Sequence, residues 1–247
     1  MADAFLLVSH GSRDPRPQIA IDRLVAQLRL QLPPASGDSS PTSVATAQLE
    51  LADKPLHLQI SDFAHKCGDG IDRVVILPLF LIPGVHVMED IPTEVALAQH
   101  EIGDKVKLKV TSFLGSDPDF TNLFAQNRSS LPSQSIILSH GSRRSGSNEI
   151  VERLAERMDL VAAYWSVPPS LADRVAAAIA AGATEIGILP YFLFPGGITD
   201  AIAESAAQLQ QQYPQVRLVF GESIGNSPAL VNTIGKILGS IDFQKTI

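Results

Sequence analysis

The sequence of 247 residues contains a single cysteine, Cys67. One cysteine excludes an intramolecular disulfide, and it excludes an iron–sulfur cluster held only by cysteines of one chain. CxxC and helical HExxH motifs are also missing, so zinc-ribbon and zinc-protease sites have no support. Cys67 recurs in helical phase with Leu56, Ile60 and Phe63, which predicts that it belongs to the core.

Long apolar runs and a surplus of positive charge are missing too. No segment approaches the length of a membrane span, and the short apolar run near the N-terminus has no basic leader of the kind found in signal peptides. We therefore expect a cytoplasmic protein that does not associate with a membrane. The net charge of −7 argues against nucleic acid as a partner, and an anionic substrate would need local positive charge.

Short apolar runs alternate along the chain with segments whose apolar residues recur at helical spacing. The predicted strands of the first half are residues 5–9, 44–49, 106–110 and the run that begins at Val74. Helical stripes lie between them, the clearest at residues 21–32. This alternation predicts an α/β fold in which a parallel sheet is covered by helices on both faces.

Two motifs occur twice in the same order, which indicates an internal duplication. FLLVSHGSRDP is matched by SIILSHGSRRSG, so that His140 lies 130 positions after His10. ILPLFLIPGVH is matched by ILPYFLFPGGI, and here Pro190 lies 112 positions after Pro78. The offset falls mainly because the second half lacks the loop-like segment 33–43.

The duplication predicts two similar lobes, residues 1–132 and residues 133–247. Each lobe is expected to be a parallel sheet with helices on both faces. Because a fused pair of lobes removes the need for a second copy of the chain, we expect a monomer.

Three side chains with metal-binding chemistry follow predicted strands. His10 follows the first strand, Glu50 ends the second, and His86 follows the Pro-Gly break after the third. In open α/β sheets, neighbouring strands bring such residues together at their carboxyl ends. Two imidazoles and a carboxylate suit a divalent transition metal. The simpler alternative for His86 is a histidine that only hydrogen-bonds its own loop.

The motifs SHGSRDP, LELADKP and LPLFLIPGVHVMEDIP resemble those of the sirohydrochlorin chelatases of the class II chelatase superfamily. The duplicated layout resembles the long, two-lobe form of that family. The resemblance implies a lyase that inserts cobalt(II) or iron(II) into sirohydrochlorin, on the routes to cobalamin or siroheme. Some long members carry a histidine-rich or iron–sulfur tail, which GKILGSIDFQKTI lacks. We therefore expect no cofactor beyond the substrate metal ion.

The resemblance also implies roles for individual residues. His10 and His86 fall on the family's two metal-binding histidines. Glu50 falls on an acidic residue proposed to bind the metal or carry protons. Both cobalt(II) and iron(II) accept imidazole and carboxylate ligands, so these residue types do not indicate which of the two metals is the substrate.

Further residues are expected to contact the substrate. Sirohydrochlorin carries eight carboxylates, so guanidinium groups should line its site. The candidates are Arg13, Arg16, Arg143 and Arg144 beside the two SHGSR loops, together with Ser12, Glu89 and His140. Solvated surface charge is the alternative for each arginine, and a glycine turn with a capping serine is the alternative for the GSR segment.

The second half is expected to be a degenerate copy of the first. It keeps His140, but at the offset of 112 Ile198 replaces His86 and Ala201 replaces Glu89. The segment AAYWSVPP, in the place of LEL, offers no carboxylate. The first lobe is therefore predicted to handle the metal and the second to contact the macrocycle.

A non-catalytic metal or tetrapyrrole carrier is the alternative function. A carrier needs the histidines, whereas only an enzyme needs an acid–base group beside them. A periplasmic-type binding protein is disfavoured because the sequence shows no export signal.

Overall fold

The computed structural model describes residues 2–32, 42–221, 224–225 and 227–239. Most of the predicted loop 33–43 falls outside these ranges. The first repeat forms a four-stranded parallel sheet in the spatial order β2-β1-β3-β4. Its strands are β1 (Asp3–Ser9), β2 (Val44–Gln48), β3 (Arg73–Pro78) and β4 (Lys107–Val110). Its helices are α1 (Pro15–Gln31), α2 (Leu56–Cys67), α3 (Ile91–Ile102) and α4 (Pro118–Gln126).

The second repeat forms a parallel sheet with the same connectivity, in the order β6-β5-β7-β8. Its strands are β5 (Ser135–Ser139), β6 (Val161–Tyr164), β7 (Glu185–Pro190) and β8 (Arg217–Phe220). Its helices are α5 (Glu149–Arg157), α6 (Leu171–Ala180), α7 (Gly197–Gln212) and α8 (Pro228–Gly239). The predicted fold class and the internal duplication are therefore confirmed. None of the described helices has both the length and the apolarity needed to cross a membrane.

Both faces of the central strand of the first repeat are buried. Leu6 and Val8 belong to one apolar cluster together with residues of α2 and α3. Phe5 and Leu7, which alternate with them, are 7% and 0% exposed on the opposite face. A strand covered on both sides reads as a continuous apolar run, which is why it was visible in the sequence. Cys67 packs half-buried against the first cluster, and this burial raises the pKa of its thiol.

The chain divides into two compact units. The first unit contains the first 120 residues together with α8, and the second unit is Thr121–Gly225. Helix α8 contacts α1, where Gln31 Nε2 donates to Asn232 Oδ1 at 3.0 Å. Phe124 of α4 packs edge-on against Tyr191 in the second unit, with ring centroids 4.7 Å apart. Helix α8 of the second repeat thus belongs to the unit that contains the first sheet, and most of α4 of the first repeat belongs to the unit that contains the second sheet.

Candidate metal-binding site

Three potential metal ligands meet at the carboxyl edge of the first sheet. Strand β1 lies between β2 and β3, so the segments that leave these three strands are neighbours. One ligand atom from each of His10, Glu50 and His86 lies within 4.8 Å of the others. His10 Nε2 is 3.9 Å from Glu50 Oε2, and each of these two side chains is 50% exposed. The two imidazole rings stand edge to face, with centroids 4.7 Å apart.

The backbone fixes the spacing between His10 and Glu50. The Glu50 N–H donates to the His10 carbonyl at 2.9 Å, which continues the β1–β2 ladder beyond the strands. Gly11 has a φ of +97°, and a Cβ at this position would clash with the Glu50 carbonyl oxygen. Leu51, directly after Glu50, also has a positive φ of 61°, which is unusual for a residue other than glycine. The two ligand-bearing loops are therefore held together by main-chain contacts before any ion binds.

Phe80 forms an apolar surface beside the two histidines. Its ring centroid is 6.4 Å from that of His10 and 6.3 Å from that of His86. The Phe80 carbonyl accepts the Gly115 N–H at 2.9 Å, and the Leu79 N–H donates to the Val8 carbonyl at 2.7 Å. These bonds anchor the segment between β3 and His86. The site thus combines polar ligands with an apolar wall.

Asp90 is a site residue that sequence reasoning missed. Its position before Ile91 and Pro92 predicts the cap of α3, but its side chain makes no capping hydrogen bond. Instead, Asp90 Oδ2 lies 2.7 Å from His86 Nδ1. A π-helical turn at His86–Asp90 precedes α3, so Asp90 lies inside a helical segment and not at its start. The usable signal was the spacing of four between His86 and Asp90, because residues four apart on a helix are neighbours.

Glu89 and Ser12 are placed differently from the three candidate ligands. Glu89 is exposed and does not belong to the three-residue group. Ser12 Oγ accepts the Asp14 N–H at 3.0 Å, which is the turn-capping arrangement weighed as the alternative for GSR. The role of either residue toward a substrate stays a prediction.

The two arginines of the first loop differ in the hydrogen bonds that their side chains make. Arg16 Nε donates to Asp14 Oδ1 at 3.0 Å, and this side-chain hydrogen bond is the main cause that lowers the pKa of the Asp14 carboxyl. Arg13 is exposed, and no side-chain hydrogen bond or ion pair of Arg13 occurs within the described ranges. Arg13 is therefore the guanidinium of this loop that is available to an anion.

The side chains of Ser142 and Asn148 form hydrogen bonds with the backbone of the second SHGSR loop. Asn148 Oδ1 accepts the Ser142 N–H at 2.9 Å, and Asn148 Nδ2 donates to the Ser142 carbonyl at 3.0 Å. The Arg144 N–H donates to Ser142 Oγ at 3.2 Å. The backbone N–H groups of Ser142 and Arg144 therefore already have acceptors within the protein. Arg143 is exposed and, within the described part of the chain, makes no side-chain hydrogen bond or ion pair.

The second repeat lacks the candidate ligands that accompany His10 in the first. The Ser166 N–H donates to the His140 carbonyl at 2.9 Å, as the Glu50 N–H does to His10. Ser166 therefore occupies the position of Glu50, and its Oγ donates to the same His140 carbonyl at 2.9 Å. Ile198, at the sequence offset of His86, is 41% exposed. Among the described residues, the first repeat holds the only group of three potential ligands.

Known proteins share this fold and part of this sequence. A sirohydrochlorin cobaltochelatase from Methanopyrus kandleri is 29% identical over 94 residues, which is 38% of this chain and 59% of that protein's length. SirB from Bacillus subtilis, solved with Fe³⁺, has a TM-score of 0.75 at 20% identity. SirB from Bacillus subtilis subspecies spizizenii, solved with cobalt, has a TM-score of 0.74 at 18% identity. Each alignment covers 98% of this chain and all of the solved chain, so the likeness shows the fold.

A family model covers nearly the whole sequence. The CbiX model matches residues 4–130 and then residues 134–239, once for each repeat. The double match agrees with the two sheets of identical connectivity. The resemblance to sirohydrochlorin chelatases of the class II superfamily is confirmed at the level of the family, and the chain belongs to the CbiX family.

Proposed function

We propose that this protein is a sirohydrochlorin chelatase that inserts a divalent metal ion into sirohydrochlorin. The observation that carries the proposal is the group formed by His10, Glu50 and His86, whose ligand atoms lie within 4.8 Å of one another. Family membership agrees with it, because the Methanopyrus relative is named as a sirohydrochlorin cobaltochelatase.

The chemistry requires a site that binds an ion and then releases it. Insertion exchanges two pyrrole N–H protons for one dication, so ligands and proton acceptors must lie together. Three protein ligands leave coordination positions open for water or substrate. His10 and Glu50 are half exposed, so the ion has access to the site from solvent. A site of this kind suits a metal that is a substrate better than one that is a permanent constituent.

The three residues receive distinct roles in this proposal. His10 and His86 bind the ion through imidazole nitrogens, which are borderline ligands suited to both cobalt(II) and iron(II). Glu50 contributes a carboxylate that serves as a third ligand or accepts a pyrrole proton. Phe80 offers an apolar surface beside the histidines, as a planar macrocycle requires.

The substrate's carboxylates are assigned to two equivalent arginines. Arg13 and Arg143 lie 130 positions apart, at the same place in the two SHGSR loops. Both are exposed and, in the described ranges, neither is engaged by an acidic side chain. Guanidinium groups bind carboxylates in a bidentate manner, which fits them to a polycarboxylate. Arg144 and His140 remain proposed contacts of the same substrate.

Cobalt(II) and iron(II) are both proposed as substrates. The two SirB structures contain Fe³⁺ and cobalt, and the Methanopyrus relative is named for cobalt. Imidazole and carboxylate bind both metals, so availability and geometry would decide between cobalamin and siroheme synthesis. We also propose that the protein works as a monomer, since both repeats are present in one chain.

Turnover separates an enzyme from a carrier. Protein at a small fraction of the sirohydrochlorin concentration is mixed with cobalt(II) or iron(II), and the absorbance of the macrocycle is followed against a metal-only control. A chelatase converts many equivalents faster than the control. A shift that stops at one equivalent per chain would identify a tetrapyrrole or metal carrier. The rates measured with each metal also decide which ion is preferred.

A further inference from the structure

His86 has a carboxylate partner to which the proposed function gives no role. Asp90 Oδ2 lies 2.7 Å from His86 Nδ1, within the π-helical turn His86–Asp90. A carboxylate oxygen accepts hydrogen bonds, so Nδ1 carries the hydrogen of this contact. In the neutral ring the lone pair is then on Nε2, which is the nitrogen left for a metal ion.

The π turn arises from one extra residue, which is visible when the repeats are aligned by their hydrogen bonds. Before the turn, the Met88 N–H donates to the Gly84 carbonyl at 3.1 Å. Its equivalent, the Asp200 N–H, donates to the Gly196 carbonyl at 3.0 Å. Met88 and Asp200 are 112 positions apart, as are the third strands of the two repeats. The two segments therefore align without a gap up to this point.

After the turn, the offset is 111. Ile91 and Ile202 are the first buried residues of α3 and α7, at 0% and 3% exposure. Eight positions later, Gln99 and Gln210 each accept a backbone N–H from the last strand of their sheet, at 2.8 and 2.9 Å. Two residues separate Met88 from Ile91, whereas one separates the equivalent pair in the second repeat. The first repeat thus contains one additional residue, Glu89 or Asp90, and such insertions produce π turns.

The second repeat shows that neither the insertion nor the acid is needed to build this helix. Helix α7 begins at Gly197 and is regular, with Ala201 as the single residue between Asp200 and Ile202. Neither the histidine nor its carboxylate partner occurs at the equivalent place. The insertion, the acid and the histidine are therefore found together only in the repeat that has the three-ligand group.

We propose that Asp90 is a positioning residue that fixes the tautomer and the ring orientation of His86, so that Nε2 is presented to the metal ion. The π turn supplies the geometry that brings the carboxylate onto Nδ1. The inference rests on the proposed metal site, to which it adds a residue that does not itself contact the ion. Removing such a partner of a metal-binding histidine typically weakens metal binding about 10- to 100-fold.

The test measures the protein without sirohydrochlorin. Nitrogen-15 NMR of the histidine side chains in the metal-free protein reports which nitrogen of His86 carries the hydrogen, and the His86→Ala spectrum identifies the signal. In the wild type we expect the Nδ1–H form, and in Asp90→Ala a mixture of tautomers. The cobalt(II) dissociation constant should rise about 10- to 100-fold in Asp90→Ala. It should stay within about threefold of wild type in Asp90→Asn, whose amide oxygen still accepts from Nδ1.

Controls separate this inference from the metal site and from folding. Asp104→Ala removes an exposed acid elsewhere in the first unit and should leave the affinity unchanged. Thermal unfolding is measured for each variant, and Asp90→Asn covers the case in which Asp90→Ala is unstable. Wild-type affinity in Asp90→Ala, with loss of binding in His86→Ala, would refute the positioning role and leave the metal site standing. A loss in Asp90→Asn as large as in Asp90→Ala would refute it as well. Undiminished binding in His86→Ala would overturn the metal site and this inference together.

Discussion

At the scale of single residues, the charge and solvent exposure of Glu50 distinguish the candidate metal site from the equivalent place in the second repeat. Glu50 is the only carboxylate in the group of three potential ligands, and its side chain is half exposed beside His10. In the second repeat the same ladder position is held by Ser166, whose hydroxyl is engaged with a backbone carbonyl. A serine has no charge to attract a dication and is a poor proton acceptor at neutral pH. The presence of Glu50 therefore distinguishes the two repeats chemically.

Replacing Glu50 with glutamine tests that distinction. Glu50→Gln keeps the shape and one acceptor oxygen, but it removes the negative charge and the ability to accept a proton. We expect kcat for metal insertion to fall about 100-fold or more, with sirohydrochlorin binding unchanged. Steady-state kinetics and a binding titration measure the two quantities. Glu149→Gln, an exposed glutamate of α5, is the control, and an unchanged kcat in Glu50→Gln would make Glu50 structural.

The equivalent arginines Arg13 and Arg143 are expected to act on substrate binding. Changing either to glutamine should raise the KM for sirohydrochlorin about tenfold, because a charge-assisted bond to a carboxylate is lost. The kcat value should change little, since neither side chain belongs to the ligand group. Arg23→Gln, an exposed arginine of α1, is the matched control. If the KM of both variants equals that of the control, these arginines are surface charges.

At the scale of secondary-structure elements, the close approach of two loops presets the ligand spacing. Gly11→Ala places a methyl group against the Glu50 carbonyl at a positive φ, so we expect a loss of about 2 kcal/mol or more in unfolding free energy, together with weaker metal binding. Gly141→Ala meets the Tyr164 side chain at 2.8 Å in the second repeat. Gly141→Ala should lower the unfolding free energy by a similar amount but leave the affinity for the metal unchanged. Gly70→Ala, with open space around it, should be neutral, and chemical denaturation with cobalt(II) titration compares the three.

The elements themselves followed from the sequence because their signals are local. Apolar runs predict the strands, and the helical stripe at residues 21–32 falls largely within α1. The sequence does not predict the π turn at His86–Asp90, because a π turn is built from the same residue types as the α-helix around it. Asp before Ile-Pro is typical of a helix start, and this pattern predicts a cap at Asp90. Its bond to His86 depends on the local helix geometry, which only the structure supplies.

At the scale of the whole molecule, the sequence predicted two repeats but not which helices each unit contains. An amphipathic pattern shows that α8 has an apolar face, but it does not specify the surface that this face covers. The structure places α8 with α1 in the first unit. The boundary near residue 132 stays a prediction about the two repeats, while the compact units divide after Phe120 and after Gly225.

The assignment of α8 to the first unit makes a prediction about stability. Ile234 of α8 is fully buried, so Ile234→Ala should lower the unfolding free energy by about 2–5 kcal/mol. Hydrogen exchange should accelerate in α1, which α8 contacts, more than in α6 of the second unit. Leu30→Ala changes a side chain that is 87% exposed and serves as the control. Faster exchange in α6 with α1 protected would contradict the assignment.

The central claim is that the first repeat holds the metal and that the second has lost this capacity. The most direct measurement compares His10→Ala with His140→Ala, because the two histidines occupy equivalent positions in the repeats. Cobalt(II) affinity and multiple-turnover insertion are measured for both variants beside the wild type. We predict that His10→Ala weakens metal binding and reduces turnover by orders of magnitude. We predict that His140→Ala keeps metal affinity and mainly raises the KM for sirohydrochlorin. Loss of metal binding in His140→Ala as complete as in His10→Ala would contradict the account.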